Sequence, residues 1–277
     1  MPHPETPRGA PRTITSLQNE QVKAIRALEM RKVRRETGLF VAEGASILMM
    51  ARDAGWTPGT LVFLAGSAKD GVHRTLLEWA LAAGADCLEV SQAVLAKLAA
   101  KDNPQTVLAV FEQRWVAEPA ATGLPAEAVW VALEGVRDPG NAGTIIRTID
   151  AVGGSGLILV GNCVDPYYRE AVRASMGSIF NVPMARMTQQ HFLEWRAQWP
   201  GDVAGTHLEG REDFRAVSYR GPVLLVMGSE GPGLSAELAA ACSRLVKIPM
   251  AGRLDSLNLV VATGLMLYEI RRGALHL

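Results

Sequence analysis

The sequence predicts an α/β protein of two domains, a smaller one preceding a larger. Three observations carry that expectation. Short apolar runs of strand length alternate with segments of helical period almost from end to end. The alternation is interrupted between residues 112 and 128, where Pro119, Gly123 and Pro125 sit among alanines. The 277 residues, 48% hydrophobic and 20% charged, suffice for two buried cores and exclude a disordered chain.

Taken in order, residues 1–12 are rich in proline and read as a disordered leader, without the apolar run of a signal peptide. Ser16 or Asn19 then caps a helix that carries Val22, Ile25 and Leu28 on one face. Residues 39–41 read as a strand, 44–54 as a helix, 60–64 as a strand and 73–83 as a helix. Strand, helix and strand repeat at 87–90, 94–99 and 107–111. Such alternation implies a largely parallel sheet covered on both faces, within a domain spanning 13–113. Residues 114–127 read as the interdomain linker.

The second domain, 128–277, opens on a strand at 129–133 and a helix around Asn141. An apolar strand at 157–160 comes next, then a helix at 166–176 and a short strand beginning or ending at Val182. Thr188 caps a helix reaching residue 199. Residues 203–206 and 222–227 are strands, separated by a polar, flexible stretch at 209–220. A helix at 234–242, a strand at 245–248 and a long helix from Ser256 to about Arg272 complete the chain, with Ser256 as the expected cap. That last helix is apolar nearly all round, as expected of one buried on several sides, in its own domain or against a partner subunit as well.

Charge and cysteine usage narrow the function. Twenty-eight basic residues balance twenty-eight acidic ones, so no global charge advertises a polyanionic partner. Locally, Lys23, Arg26, Arg31, Lys32, Arg34 and Arg35 stand against Glu29, a footprint suited to a phosphate backbone or simply a solvated helix face. Cys87, Cys163 and Cys242 are scattered and form no C-x-x-C pair, which fits a reducing cytoplasm and argues against a zinc site. The five histidines show no metal-binding spacing. Apolar runs fall short of the ~18–20 residues that a membrane span needs.

The chemistry concentrates late in the chain. The apolar run 222–227 empties into Gly228-Ser229-Glu230-Gly231-Pro232-Gly233. Glycines at a strand end allow a sharp turn and let a ligand approach the main chain, so turn and binding loop are equal readings of this segment alone. It is neither a dinucleotide fingerprint nor a phosphate loop, because the G-x-G-x-x-G spacing and the Lys-Ser/Thr pair are missing. A nucleophile elbow, G-x-S-x-G, is missing too. Ile248-Pro249-Met250 is a second strand end, and Ser256-Leu257-Asn258 opens the last helix. Upstream, Asn141-x-Gly143-x-x-x-Arg147 lies at a loop-to-helix junction whose N–H groups favour anions, although a surface arginine is the ordinary reading of Arg147 alone.

In this order, the three elements resemble the SpoU/TrmH-type RNA ribose methyltransferases of the SPOUT class, across 129–272. The stretch from Ile14 to Gly44 is similar to the small ribosomal-protein-like α/β RNA-binding domain that precedes the catalytic domain in many members. The resemblance implies a C-terminal domain tied in a trefoil knot, which pattern alone does not give. It implies S-adenosylmethionine as methyl donor, contacted by Gly228, Ile248 and Leu257 and by main-chain groups around Met227, Met250 and Asn258. The acceptor is a ribose 2′-hydroxyl in structured RNA, ribosomal RNA being favoured over transfer RNA. Arg147, Asn141, Glu230, Ser256 and Asn258 then surround the reacting centre, Lys23 to Arg35 supply phosphate contacts, and the protein is a cytoplasmic homodimer that shares catalytic groups between subunits.

Arg147 is often cast as the base in this family. Its pKa lies above ~12, so we expect it to stay charged, hold phosphate and stabilise the developing alkoxide. Glu230 orients Arg147 or Asn258, or is structural. Arg253 and Asp255 tune substrate choice or are solvated. A transfer RNA methyltransferase and a non-catalytic RNA-binding or assembly factor are the competing readings.

Overall fold

The structure is a computed structural model that describes residues 10–99, 105–254 and 256–276. Most of the expected leader, and Asp255, lie outside the described residues. The chain divides into two compact units, one running to Gln113 and including Tyr167–Phe180, the other made of Arg114–Pro166 and Asn181–Leu277.

In the first unit, β1 (Arg12–Ile14) precedes α1 (Glu20–Ala27) and α2 (Arg31–Thr37). Asn19 supplies the α1 cap, its Oδ1 accepting from Gln21 N at 2.9 Å. Next come β2 (Leu39–Glu43), α3 (Ala45–Asp53), β3 (Thr60–Leu64), α4 (Gly71–Ala82), β4 (Asp86–Val90), α5 (Gln92–Leu98) and β5 (Val107–Glu112). The strands lie in the order β1-β4-β3-β5-β2.

The sheet is mixed, a correction to the largely parallel one expected. β5 runs antiparallel to both β3 and β2, while β1, β4 and β3 are mutually parallel. β5 enters the sheet between β3 and β2 and pairs with both.

Strand alternation gives this sheet two different faces. Val41, Val62, Leu88 and Val110 pack with Val22, Ile25 and Leu28 of α1 and with Val94, Leu95 and Leu98 of α5. On the other face lies an aromatic cluster of Phe40, Trp56, Phe111, Tyr167 and Phe180. Two of these rings come from the Tyr167–Phe180 excursion, which by sequence order falls in the second domain. Phe40 lies 4.6 Å from the Tyr167 ring, and Trp56 donates from Nε1 to Phe180 O at 2.8 Å. Arg169 in the same excursion pairs with Glu29 at 2.8 Å and Glu43 at 3.5 Å. The excursion is therefore part of the first unit's core.

The second unit begins with β6 (Val129–Glu134), α6 (Pro139–Ala151) and β7 (Gly156–Val160). After α7 (Arg169–Ala174) in the excursion come β8 (Met184–Met187), α8 (Gln189–Arg196), β9 (Val203–Thr206) and β10 (Glu212–Asp213). β11 (Val223–Met227), α9 (Ala236–Ala241), β12 (Arg244–Lys247) and α10 (Leu259–Ile270) close the chain. Seven strands, all parallel, lie in the order β10-β12-β9-β11-β6-β7-β8. β7 and β11 are buried at every residue, the near-continuous apolar reading that a sheet covered on both faces requires.

Two sequence expectations change here and one is narrowed. The cap of α10 is Asn258, whose Oδ1 accepts from Val260 N at 2.8 Å, so the helix starts three residues after Ser256. α10 is buried along Leu259, Thr263, Met266 and Leu267 but leaves Val261, Leu265 and Tyr268 exposed, so its own domain covers only part of its apolar surface. The stretch 114–127 is fastened to the second unit: Val116 N donates to Met184 O at 2.9 Å, Trp195 Nε1 to Pro119 O at 3.0 Å, and Leu124 packs into the core. It is a strap along β8 and α8, more than a free linker.

Candidate active site

Parallel pairing brings the carboxyl ends of β9, β11, β6 and β12 to one edge, because Met227 is level with Leu133 and Val246 with Thr206. Ligands of open parallel sheets sit outside that edge. A cavity of about 630 Å³ lies there, within the ~300–1,000 Å³ range of small-molecule sites. Its walls combine aliphatic side chains (Met227, Ile248, Met250, Leu257 and Leu259) with the glycine loop and a few polar groups.

The glycine loop is a tight hairpin. Ser229 and Gly233 exchange both backbone hydrogen bonds at 3.1 Å, with Gly231 at φ 98° and Gly233 at φ 74°. A Cβ on Gly228 would stand 2.0 Å from Gly233 C, so the fold-back of the hairpin leaves room for no side chain there. The hairpin tip is held by Asn141, whose Nδ2 donates to Glu230 Oε1 at 2.7 Å. Asn141 is itself fixed because Asp138 Oδ1 accepts from its backbone N at 2.6 Å, capping α6 with Pro139 at its first position.

The structure thus brings most of the expected residues together. Met227, Gly228, Ile248, Met250, Leu257 and Asn258 all line the cavity, as do Glu230 and Ser256. Asn141 joins them through Glu230. Arg147 does not line the cavity; it is exposed on α6 and has no ion-pair partner among the described residues. A turn that sequence reasoning misses also lines the wall, formed by Thr206, His207, Leu208 and Glu209. A signal for it exists: β9 is a strand like β11, but its end opens on a polar stretch that reads as merely flexible.

The basic segment is less uniform than its composition suggests. Arg34 is 3% exposed, donates to Leu28 O at 2.7 Å and Glu29 O at 2.9 Å, and stacks over the Tyr168 ring. It ties α1 to α2, and its guanidinium is withdrawn from the expected phosphate contacts. Lys23 pairs with Glu20 at 2.9 Å and Lys32 with Glu36 at 3.8 Å, while Arg26, Arg31 and Arg35 are exposed.

The three cysteines are free, and Cys87 and Cys163 are buried. Burial pushes Cys87 up to about 11 and Cys242 up to about 12, and raises Cys163 as well. Among the described residues, no group of three or more His, Cys, Asp or Glu is placed to hold a metal ion, and no helix is long and apolar enough to cross a membrane.

Fold and site define a class: α/β proteins with a cavity of small-molecule size at the carboxyl edge of a parallel sheet, walled by a glycine hairpin that an Asn–Glu pair holds. Residues 128–268 match the SpoU rRNA Methylase family, and the chain belongs to that family. Residues 19–109 match the MRM3-like substrate binding domain. A solved structure described as an AdoMet-bound rRNA methyltransferase from Sinorhizobium meliloti is 45% identical, with a TM-score of 0.87 over 96% of this chain and 99% of that one. A 23S rRNA (uridine(2479)-2′-O)-methyltransferase of Streptomyces viridochromogenes is 32% identical over 95% of this chain and 93% of its own length. A Synechocystis protein described as an uncharacterized tRNA/rRNA methyltransferase is 33% identical over 94% of this chain and 93% of its own.

Proposed function

We propose that this protein methylates a ribose 2′-hydroxyl in structured RNA, most favourably ribosomal RNA, using S-adenosylmethionine. The observation that carries the proposal is the cavity itself: all six residues assigned to the donor by family resemblance line one space of suitable volume. Its walls fit such a molecule, pairing aliphatic surface and open glycine backbone with polar groups at the rim. Met227, Gly228, Ile248, Met250, Leu257 and Asn258 would hold it. When bound, it supplies an electrophilic methyl group on a sulfonium centre.

The chain's own residues then position the acceptor. Arg147, exposed and without an acidic partner among the described residues, offers its guanidinium to the phosphate beside the acceptor ribose and stabilises negative charge developing on the ribose oxygen. Asn141 holds Glu230 at the cavity rim, so the carboxylate is oriented before substrate arrives. Ser256 and Asn258 complete the wall.

Three finer features belong to this reading. A trefoil knot is supported by the path of the chain, which leaves β12 on the far side of β9 and returns to pack α10 on α6 and β11. A homodimer is supported by the apolar stripe Leu257, Val261, Leu265 and Tyr268, exposed beside the site at helical spacing. The domain at 13–113 presents RNA through Arg26, Arg31, Lys32 and Arg35, the domain at 128–277 carries the chemistry, and reduced cysteines suit the cytoplasm.

The test is methyl transfer from labelled S-adenosylmethionine to ribosomal and transfer RNA fractions from cells lacking the gene. Label recovered as a 2′-O-methylribose from ribosomal RNA is the expected result. Label in transfer RNA alone would correct the substrate, and cofactor binding without transfer to any fraction would favour the assembly-factor reading. Replacing Arg147 by Lys sharpens the mechanism: activity rising with the lysine pKa would show that a base, and not a fixed cation, is needed.

A further inference from the structure

The glycine hairpin is braced at two points, and only one of them involves a residue that the family pattern singles out. The tip is held by Asn141 through Glu230. The base is held by Glu134, the last residue of β6, whose Oε2 accepts from Ser235 N at 2.8 Å. Ser235 stands just past the hairpin and caps α9, its Oγ accepting from Leu238 N at 3.3 Å. Gly135, next to Glu134, has φ 62° and passes so near the hairpin that a Cβ there would lie 3.8 Å from Ser229 Cβ.

Both braces therefore start from one short segment, 134–141, and end on either side of the hairpin that walls the cavity. A half-buried carboxylate accepting from a backbone N–H makes a charge-assisted bond, stronger than a neutral one. Its loss would free the hairpin's exit while the tip stayed attached. A loop containing three glycines has little intrinsic stiffness to compensate.

We propose that Glu134 is a positioning residue for the donor: by holding Ser235 N it fixes the Gly228–Gly233 hairpin in the form that binds S-adenosylmethionine. The proposal rests on the assignment of the cavity to that donor. Glu134 acts through the hairpin and touches neither reactant. Because the two braces share a segment, donor binding and the setting of Asn141 and Glu230 are coupled, and each stabilises the other.

The test compares donor affinity, by isothermal titration calorimetry on the full chain without RNA, across four variants. Glu134→Ala is expected to weaken S-adenosylmethionine about tenfold, Glu134→Asp to fall between it and wild type because the carboxylate is drawn back, and Glu134→Gln to remain within about threefold because an acceptor oxygen survives. Ser235→Ala removes the α9 cap but keeps the N–H, and should also remain within about threefold. KM for RNA should be unchanged in all four, while donor affinity orders them. If Glu134→Ala is too unstable to purify, the Asp and Gln variants decide the matter by themselves.

Equal donor affinity in the wild type and the Asp and Ala variants would overturn the proposal, as would a Ser235→Ala loss as large as that of Glu134→Ala, which would reduce the effect to helix fraying. A wild-type chain that binds no S-adenosylmethionine would instead overturn the cavity assignment, a failure distinguishable from the first.

Discussion

The two units begin from the same alternation of strand and helix and use it in opposite ways. The first fills one face of its sheet with aromatic rings from Phe40, Trp56, Phe111, Tyr167 and Phe180, committing its largest side chains to packing. The second ends β11 in a glycine hairpin and β12 in the Ile248-Pro249-Met250 turn, and leaves about 630 Å³ open at the strand ends. Arginines show the same division. Arg34 in the first unit is buried and bonded to carbonyls, whereas Arg147 in the second is exposed, with no ion-pair partner among the described residues. Alternation sets the kind of fold; the residues just beyond each strand decide whether its end becomes core or site.

The largest effect expected from that contrast is at Gly228. An alanine there must displace the backbone of Gly233 and Leu234, so donor affinity should fall at least about a hundredfold, some 2.7 kcal/mol. Calorimetry showing a loss below threefold would mean the hairpin is not the donor wall. Core truncation in the first unit should do the reverse. Phe111→Ala should cost about 3–5 kcal/mol in the urea transition of that unit while donor affinity stays within about threefold. If affinity falls along with stability, the units do not divide packing and binding as described.

The cations give a finer test. Arg34→Ala removes two charge-assisted hydrogen bonds and should destabilise the first unit by about 2–4 kcal/mol, seen in the same urea experiment. Replacing Arg26, Arg31, Lys32 and Arg35 by Gln should leave stability nearly unchanged. RNA affinity should then drop, and the slope of log K against log salt should shrink by about 3. An unchanged slope would make that surface an ordinary solvated face.

The smallest expected effect is one of pH. Cys87 and Cys242 are held protonated by burial, at about 11 and about 12, whereas an unfolded thiol ionises near ~8.5. Above that value the unfolded chain releases protons that the folded chain keeps, so their contribution is whole below ~8.5 and declines as pH rises towards 11–12. Cys87→Ala should flatten the alkaline decline for the first unit alone, and Cys242→Ala for the second. Denaturation midpoints between about pH 8 and 11 would separate the two, and an identical decline in both variants would assign it to other groups.

Much of this is legible in the chain because it depends on near neighbours. Asn19 and Thr188 are readable as caps, since a capping side chain serves N–H groups two or three residues away. The apolar runs become β6, β7 and β11, and the glycine loop, Ile248-Pro249-Met250 and Ser256-Leu257-Asn258 stand out as strand ends and a helix start. Misreadings arise where two local candidates compete or where a distant partner decides. Ser256 and Asn258 are both good caps, and packing of α10 from Leu259 onward selects the second. Arg34 is chemically identical to Arg35, and only the fold of α1 onto α2 buries one and leaves the other in water.

By itself the sequence determined most of the elements, their order along the chain, and the glycine turn, second strand end and helix start that come to line the cavity, because periodicity, capping and backbone freedom act over a few residues. Only the tertiary structure decided that β5 runs antiparallel, that Tyr167–Phe180 belongs to the first unit's core, and that the β9 turn joins the cavity. It also set Glu134 against Ser235, across 101 positions of chain. Such outcomes depend on which apolar faces and polar atoms find partners when distant segments meet, and no window along the chain contains both sides of that match.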